Sequence, residues 1–331
     1  MGHQWRKVNL VERDYEIMGA IEKWGILGLG QLEGLVFKKE AEAGERTSLF
    51  FNESGREIYT KACYKRLSDL EAGGYVRSQF YLNHRKLYTL TESGHEELIV
   101  SGKAKLPGFR RSMSEALIDH EIKVNGVGLV LTQLLGFRVA SERQLTYWNT
   151  HGAQAPKGQE ALPDLWIMDK ENPKAIEVEL TQKSELRYKE ILYRYSGMVG
   201  FKGGAVLYLT GWPKGPETLW RIIKKHGRIQ VYVASLQEFR DRQGRCEFLG
   251  YSSFQDDHKK FLKLVPDEIP EPIKPPLVPR PAEKIPLAAA VTSVQEAPPE
   301  LDQWGGGGGY KPNPYAHLPP PLRPKRWGVK N

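Results

Sequence analysis

The chain is poor in cysteine: Cys63 and Cys246 are the only two in 331 residues. Two cysteines cannot build a disulfide framework or a cysteine-rich zinc site. No apolar run reaches the roughly 18 residues that a membrane helix needs, so no membrane partner is expected. Residues 1–10 are polar and basic without an apolar centre, unlike a signal peptide. These absences lead us to expect a cytoplasmic protein in a reducing compartment. There is no Gly-x-x-x-x-Gly-Lys-Ser/Thr phosphate loop, which argues against ATP-driven work by this chain. A Gly-x-Ser-x-Gly nucleophile elbow is missing too.

What is present is an excess of positive charge. Lys and Arg number 48 against 40 acidic residues, a net charge of +8. Such a balance favours a polyanionic partner, because cations that neutralise phosphates release counterions. A basic tail would give the same sum, so the placement of the charge has to decide. The length suggests two domains at roughly 150 residues each. Hydrophobic content of 40% and charged content of 27% are ordinary for a globular protein.

The last segment is set apart by composition. Sixteen of the 22 prolines follow Leu264, and residues 305–309 are five consecutive glycines. Residues 265–331 are therefore expected to be a disordered Pro/Gly-rich tail, since they cannot bury enough apolar surface to offset ordering. The ending "PPPLRPKRWGVKN" reads either as a solvated tail or as a peptide that docks on a protein partner.

Residues 11–105 read as a first domain. The stretch 11–24 has apolar positions near helical spacing, and "QLEGLVF" looks like a short second helix. "ESGREIYTKACYKRLSDLEAGGYV" offers Ser54 as a cap and places Ile58, Ala62, Leu67 and Leu70 on one stripe, with Gly73 and Gly74 as the stop. "YVRSQFYLNHRKLYTLT" alternates like two strands around Asn83-His84. "LTESGHEEL" opens another helix, capped by Thr91. Between Arg56 and Tyr88 stand seven cations (Arg56, Lys61, Lys65, Arg66, Arg77, Arg85 and Lys86) and three acids.

Residues 112–262 read as a second domain with the order α, β, β, β, α, β, α, β, an α/β domain with a mixed sheet. A long helix ends at Gly136, "FRVAS" is a strand, and 149–160 is a polar loop. "DLWIM" and "AIEVEL" form a hairpin about residues 171–174. A helix over 184–195 follows. "GGAVLYLTG" is apolar throughout, as in a strand buried on both faces. "PETLWRIIKKHG" is a helix and "QVYVASL" the final strand. In "AIEVEL" the period of two puts Glu177 and Glu179 on one face and Ile176, Val178 and Leu180 on the other. A tight hairpin brings Asp164 across from Glu177 or Glu179, within roughly 5 Å between Cβ atoms. Three carboxylates crowded on one patch need a neighbouring cation, open solvent, or a hard metal ion such as Mg²⁺ (or Mn²⁺). Lys183 and the helix bearing Arg187, Tyr188, Lys189, Arg194 and Tyr195 stand next in sequence.

Two resemblances attach to these residues. "YKRLSDLEAGGYVRSQF" with "RKLYTLTESGHEEL" resembles a winged helix-turn-helix. That resemblance implies double-stranded DNA as partner, with the third helix in a major groove and the wing on backbone or minor groove. Winged helices also serve as protein-interaction modules. "PD" at 163–164 with "E-x-E" at 177–179 is similar to the PD-(D/E)xK nuclease superfamily. The likeness implies Asp164, Glu177 and Glu179 as metal ligands and Lys183 as the displaced lysine, because Glu179 stands where a lysine is usual. Glu121, or His120, on the preceding helix would reach the same site. The combination resembles the replication-relaxation family of mobile elements and MobC-type plasmid relaxases, over about residues 11–236. The two-histidine metal site of the usual tyrosine relaxases is absent, as no His-x-His pair occurs. The resemblance implies a sequence-directed DNA-binding protein of a mobile element, a metal-dependent nicking endonuclease at an origin of replication or transfer. The alternative is a non-catalytic accessory or regulator whose nuclease-like domain packs or forms a homodimer. Arg187 and Arg194 join the candidate DNA contacts.

Overall fold

The computed structural model describes residues 7–51, 60–81, 85–106, 115–151, 162–169, 172–198, 204–226, 229–251 and 260–264. They form an α+β structure with a mixed sheet. The expected disordered tail and its docking peptide lie outside the described residues, as do Ser54, Ile58, Arg56 and the Asn83-His84 turn.

The first helix, α1 (Glu12–Trp24), buries Ile17, Met18, Ile21 and Trp24. Asp14 accepts a 2.6 Å bond from the Val11 amide at its start, and Gly25 at φ 79° ends it. Two residues of strand, β1 (Leu27–Gly28), lead into α2 (Leu29–Leu32) and a π-helical turn, Glu33–Phe37. A further helix, α3 (Ala43–Phe50), was not expected from the sequence. Its eight residues carry Gly44 and polar side chains, so the apolar stripe is short. In α4 (Lys61–Ala72) Thr60 is the cap, accepting from the Cys63 amide at 3.2 Å. Cys63, Leu67 and Leu70 are its buried positions, whereas Ala62, expected on that stripe, is exposed.

The hairpin is as expected: β2 (Val76–Tyr81) pairs antiparallel with β3 (Arg85–Leu90). The addition of β1 against β3 makes a three-stranded sheet in the order β1-β3-β2. Thr91 caps α5 (Glu92–Val100), its hydroxyl accepting from the Gly94 amide at 3.0 Å.

The second half begins with α6 (Glu115–Leu129), prolonged by a π-helical turn, Val130–Leu134, and stopped near Gly136 at φ 72°. After β4 (Val139–Ser141) comes α7 (Glu142–His151), which takes up 149–151 of the expected loop. Then follow β5 (Leu165–Ile167), β6 (Lys174–Glu179), α8 (Glu185–Met198), β7 (Ala205–Thr210), α9 (Gly215–His226) and β8 (Gln230–Ser235). The chain does not finish at β8. It continues through α10 (Leu236–Asp241), β9 (Glu247–Tyr251) and β10 (Lys260–Lys263), completing a seven-stranded sheet in the order β10-β9-β8-β7-β6-β5-β4. The strands β6, β7 and β8 are parallel and the other pairs antiparallel. Every residue of β7 is buried, as a central strand with two covered faces requires.

The two sheet faces differ. Ile176, Val178, Leu207 and Leu209 share a core with α1, α4 and α6 residues such as Ile17, Leu67 and Val127. Ala175, Val206, Tyr208 and Val231 pack instead on Tyr188, Leu192 and Tyr195 of α8 and on Leu219 and Ile223 of α9.

The first core crosses the junction between the N-terminal helices and the large sheet. A helix leaves its last carbonyls without intrahelical donors. At the end of α1 these are supplied from the second half. Ser141 Oγ donates to the Lys23 carbonyl at 2.9 Å, and Asn125 Nδ2 donates to Trp24 at 3.1 Å and Ile26 at 2.6 Å. Gln31 Nε2 donates to the carbonyls of Phe50 and Ile122 at 3.1 and 3.0 Å. The approach is close: a Cβ at Gly128 would stand 2.3 Å from the Trp24 indole.

Asn125→Ala leaves two buried carbonyls without a donor and is expected to cost about 1–3 kcal/mol, read as a shifted midpoint in urea. Gly128→Ala is expected to destabilise through collision with Trp24, with both halves melting in one transition. Separate transitions in wild type would contradict the shared core.

Candidate functional site

The carboxylates of interest sit where β5 meets β6. Leu165 lies opposite Ile176 and Ile167 opposite Lys174. Continuing that register by one step puts Asp164 level with Glu177. The Asp164 carboxylate turns onto the β6 backbone, its Oδ2 accepting from the Val178 amide at 2.7 Å. Like-charged neighbours on one face repel, so each acid has to find a partner.

The partners come from three elements. His120, on α6, donates through Nε2 to the Val178 carbonyl at 2.8 Å and stands 3.4 Å from Asp164 Oδ2. Burial works against the charged imidazole, but the Asp164 carboxylate and the Val178 carbonyl outweigh it and raise its pKa to about 9. Lys183 Nζ, just beyond β6, bonds to the buried Glu179 carboxylate. Burial pushes the Glu179 carboxyl above the usual range, and the ammonium of Lys183 opposes the rise. Tyr195, on α8, donates its hydroxyl to Glu177. Burial drives Glu177 well above the usual carboxylate range and Asp164 adds to it, against the Tyr195 hydrogen bond. The acid nearest the centre of the cluster is therefore the one that most resists ionising.

Two more phenols close the cluster. Tyr188 accepts from the Lys183 amide at 3.2 Å, and burial takes its pKa up to about 12. Tyr208 stands level with Glu177 in the parallel β6–β7 register and meets Tyr188 edge to face at 6.2 Å. Burial, followed by the charges of Glu177 and Glu179, raises the Tyr208 phenol well above its ordinary value. Its hydroxyl is buried with no hydrogen-bond partner among the described residues. Tyr208 went unnoticed in the sequence because "GGAVLYLTG" reads as plain buried strand; only the β6–β7 pairing places it beside the acids.

The sequence placed a basic helix against these acids. The structure turns α8 the other way. Tyr188, Leu192 and Tyr195 recur at helical spacing and face inward, while Arg187, Lys189 and Arg194 are exposed on the outer side. Arg187 pairs with Glu190 at 3.0 Å. Glu121 lines a pocket with His120, Asp164, Asn125, Ser141, Glu142 and Arg143. Glu142 and Arg143 were missed, because α7 itself was.

Carboxylate oxygens are suitable donors for a hard divalent ion. In this arrangement they are closed by His120, Lys183, Tyr195 and a backbone amide, and among the described residues no three His, Cys, Asp or Glu side chains converge to hold a metal ion.

The N-terminal cations divide into exposed and engaged. Lys61 and Lys65 are exposed on α4 beside Tyr64. Arg66 of the same helix is bonded to the buried Asp14 and to the Asn9 carbonyl at 2.9 Å. Lys86 is held by Glu71 at 2.9 Å, and its ammonium lies 5.5 Å from the Tyr64 ring centre. Arg77 is exposed, with Nε donating to Thr89 Oγ1 at 2.9 Å. Arg85 opens β3.

The His120 contact gives a signed pH dependence. A histidine raised from an unfolded value of about 6.5 to about 9 stabilises the fold fully below pH 6.5. That contribution fades as pH rises through about 9. His120→Gln is expected to lose more stability relative to wild type at pH 6 than at pH 10, measured by urea unfolding; an equal loss at both would contradict a charged ring. Comparison with family models, with curated proteins and with solved structures finds no match to this chain.

Proposed function

We propose that this chain is a sequence-directed DNA-binding protein of the winged-helix kind, serving replication or mobilisation of a mobile element at its origin. One observation carries the reading: Lys61, Tyr64 and Lys65 are exposed together on α4, and the hairpin beside it adds the exposed Arg77. The order of helix, glycine turn and basic hairpin supports the same reading. In it α4 enters a major groove and the β2–β3 hairpin lies on the neighbouring backbone or minor groove. Lys61, Lys65 and Arg77 are phosphate contacts, which set register and carry no sequence information. Tyr64 stands where base edges are read. Arg66 and Lys86 support these elements rather than touch DNA, since Asp14 and Glu71 hold them.

A second reading concerns the acidic cluster. Asp164, Glu177 and Glu179 crowd one sheet face beside Lys183, as in a PD-(D/E)xK nuclease. Asp164 and Glu177, with Glu179, would hold Mg²⁺ or Mn²⁺, and Lys183 would stand beside the phosphate. When bound, such an ion activates water and stabilises charge on a scissile phosphate. The observation favouring it is the mutual repulsion of Asp164 and Glu177, which a cation offsets. The observation against it is that every carboxylate already has a protein partner. DNA binding without cutting is therefore the reading the geometry supports best, and Arg187 and Arg194 on the outer face of α8 are an additional place for DNA to lie.

Paired Lys61→Ala and Lys65→Ala substitutions are expected to weaken binding on all duplex sequences alike and to flatten the log–log salt dependence by about two. Unchanged salt dependence would sink the α4 docking. For the second reading, Mg²⁺- or Mn²⁺-dependent nicking of supercoiled origin DNA that Asp164→Ala and Glu177→Ala abolish is the expected result. Cutting that survives both substitutions would remove these residues from the reaction.

A further inference from the structure

The β2–β3 hairpin carries an aromatic ring that the fold does not use. Phe80 is 70% exposed. It is the next-to-last residue of β2 and pairs with Lys86. Directly opposed residues share a face, and alternate residues along a strand share it too. Phe80 therefore lies on the same face as Ser78, Val76, Lys86 and Tyr88.

That face is the one packed on α4. Glu71 of α4 accepts from the Ser78 amide at 3.0 Å and from the Lys86 ammonium at 2.9 Å. The ammonium sits between two rings, 5.5 Å from the centre of Tyr64 and 5.4 Å from that of Tyr88. The hairpin is thus braced against α4 up to the Phe80–Lys86 pair, and the Phe80 ring stands exposed at that level. Its cross-strand partner Lys86 lies beside Tyr64, which α4 exposes together with Lys61 and Lys65. The local charge is positive, so the partner that meets this ring is a polyanion. Bases offer a π-face or a gap between steps to an apolar ring, and proteins that lie along a minor groove insert Phe in this way.

We propose that Phe80 is an apolar wedge that enters the groove beside α4 and unstacks a base step there. The proposal rests on the DNA-binding reading and adds to it a contact that carries sequence information. Steps that unstack readily, such as TA and CA, would be preferred under the hairpin. The bracing by Glu71 and Lys86 matters because a wedge must not swing away when it meets the stack. The positive charges draw the duplex in, and the ring supplies the deformation.

The full chain is tested on an alternating A·T duplex carrying 2-aminopurine, whose fluorescence rises when its base is unstacked. Wild type is expected to bind and to raise the fluorescence. Phe80→Ala should bind roughly tenfold weaker or worse, the range of a lost aromatic–base stack, with no rise and an unchanged salt dependence. Phe80→Trp should restore both affinity and the rise. Lys61→Ala with Lys65→Ala should bind more weakly and less salt-sensitively yet still raise the fluorescence at saturation. Wild-type affinity or a full fluorescence rise in Phe80→Ala would overturn the wedge while leaving DNA binding in place. Loss of a wild-type dimer in Phe80→Ala, with DNA binding unchanged, would overturn it in favour of a second copy of the chain. A wild-type chain that binds no duplex would overturn the DNA-binding reading itself. Circular dichroism should show Phe80→Ala folded, since the ring is exposed and supports no core.

Discussion

The carbonyls at the end of α1 are the constraint on which the rest of the structure depends. Buried carbonyls without donors are costly, and α1 ends among apolar side chains. Asn125 and Ser141, from the far half of the sequence, supply the missing hydrogen bonds. Once they do, the N-terminal helices and the large sheet are one packed body with a common core. Glycines at 126 and 128 let α6 come close enough, with Phe51 and Trp24 filling the space a side chain would need. The exposed face of α4 is consequently held in a set relation to the acidic cluster on β6.

The acidic cluster obeys a different economy. Three carboxylates on a partly covered sheet face would ordinarily repel one another and the core around them. Here two side-chain cations, His120 and Lys183, serve one acid each, and a phenol serves the third. A tyrosine hydroxyl donates a hydrogen bond without adding a charge, so it fits where burial disfavours ionisation. Tyr188 and Tyr195 of α8 therefore face in, while Arg187 and Arg194 face out together with Tyr193. This orientation follows from helical spacing: Tyr188, Leu192 and Tyr195 form one stripe, and that stripe covers Ala175, Val206 and Tyr208.

Much of the fold was legible in local pattern. The period of two in "AIEVEL", the Thr91 cap, the stop at Gly74 and the buried run of β7 each follow from rules that need only neighbours in sequence. Elements that escaped were those with weak local signals. β1 is two residues long and exists only by pairing with β3. β9 and β10 find their place against β8 and each other after a helix intervenes. Among the described side chains of α7 only Leu145 is buried. In the site, Asp164 beside Glu177 was readable because a tight hairpin leaves few registers. That His120 or Glu121 reaches this site was implied only by the resemblance, and the His120 bond to Val178 was not readable, because it joins residues 58 apart in the chain.

The sequence by itself determined which segments alternate and which coil, that the charge is positive around α4 and the hairpin, and that three acids crowd one turn. These are properties of residue types and short spacings. Only the tertiary structure decided which cations remain exposed and which are consumed. Arg66 and Lys86 look like phosphate contacts in the sequence, yet Asp14 and Glu71 claim them. The helix after β6 looks like a basic wall, yet it shows tyrosines to the acids. The physical reason is the same in each case: a charge binds the nearest opposite charge that burial makes worth keeping, and nearness is set by packing between residues far apart in sequence.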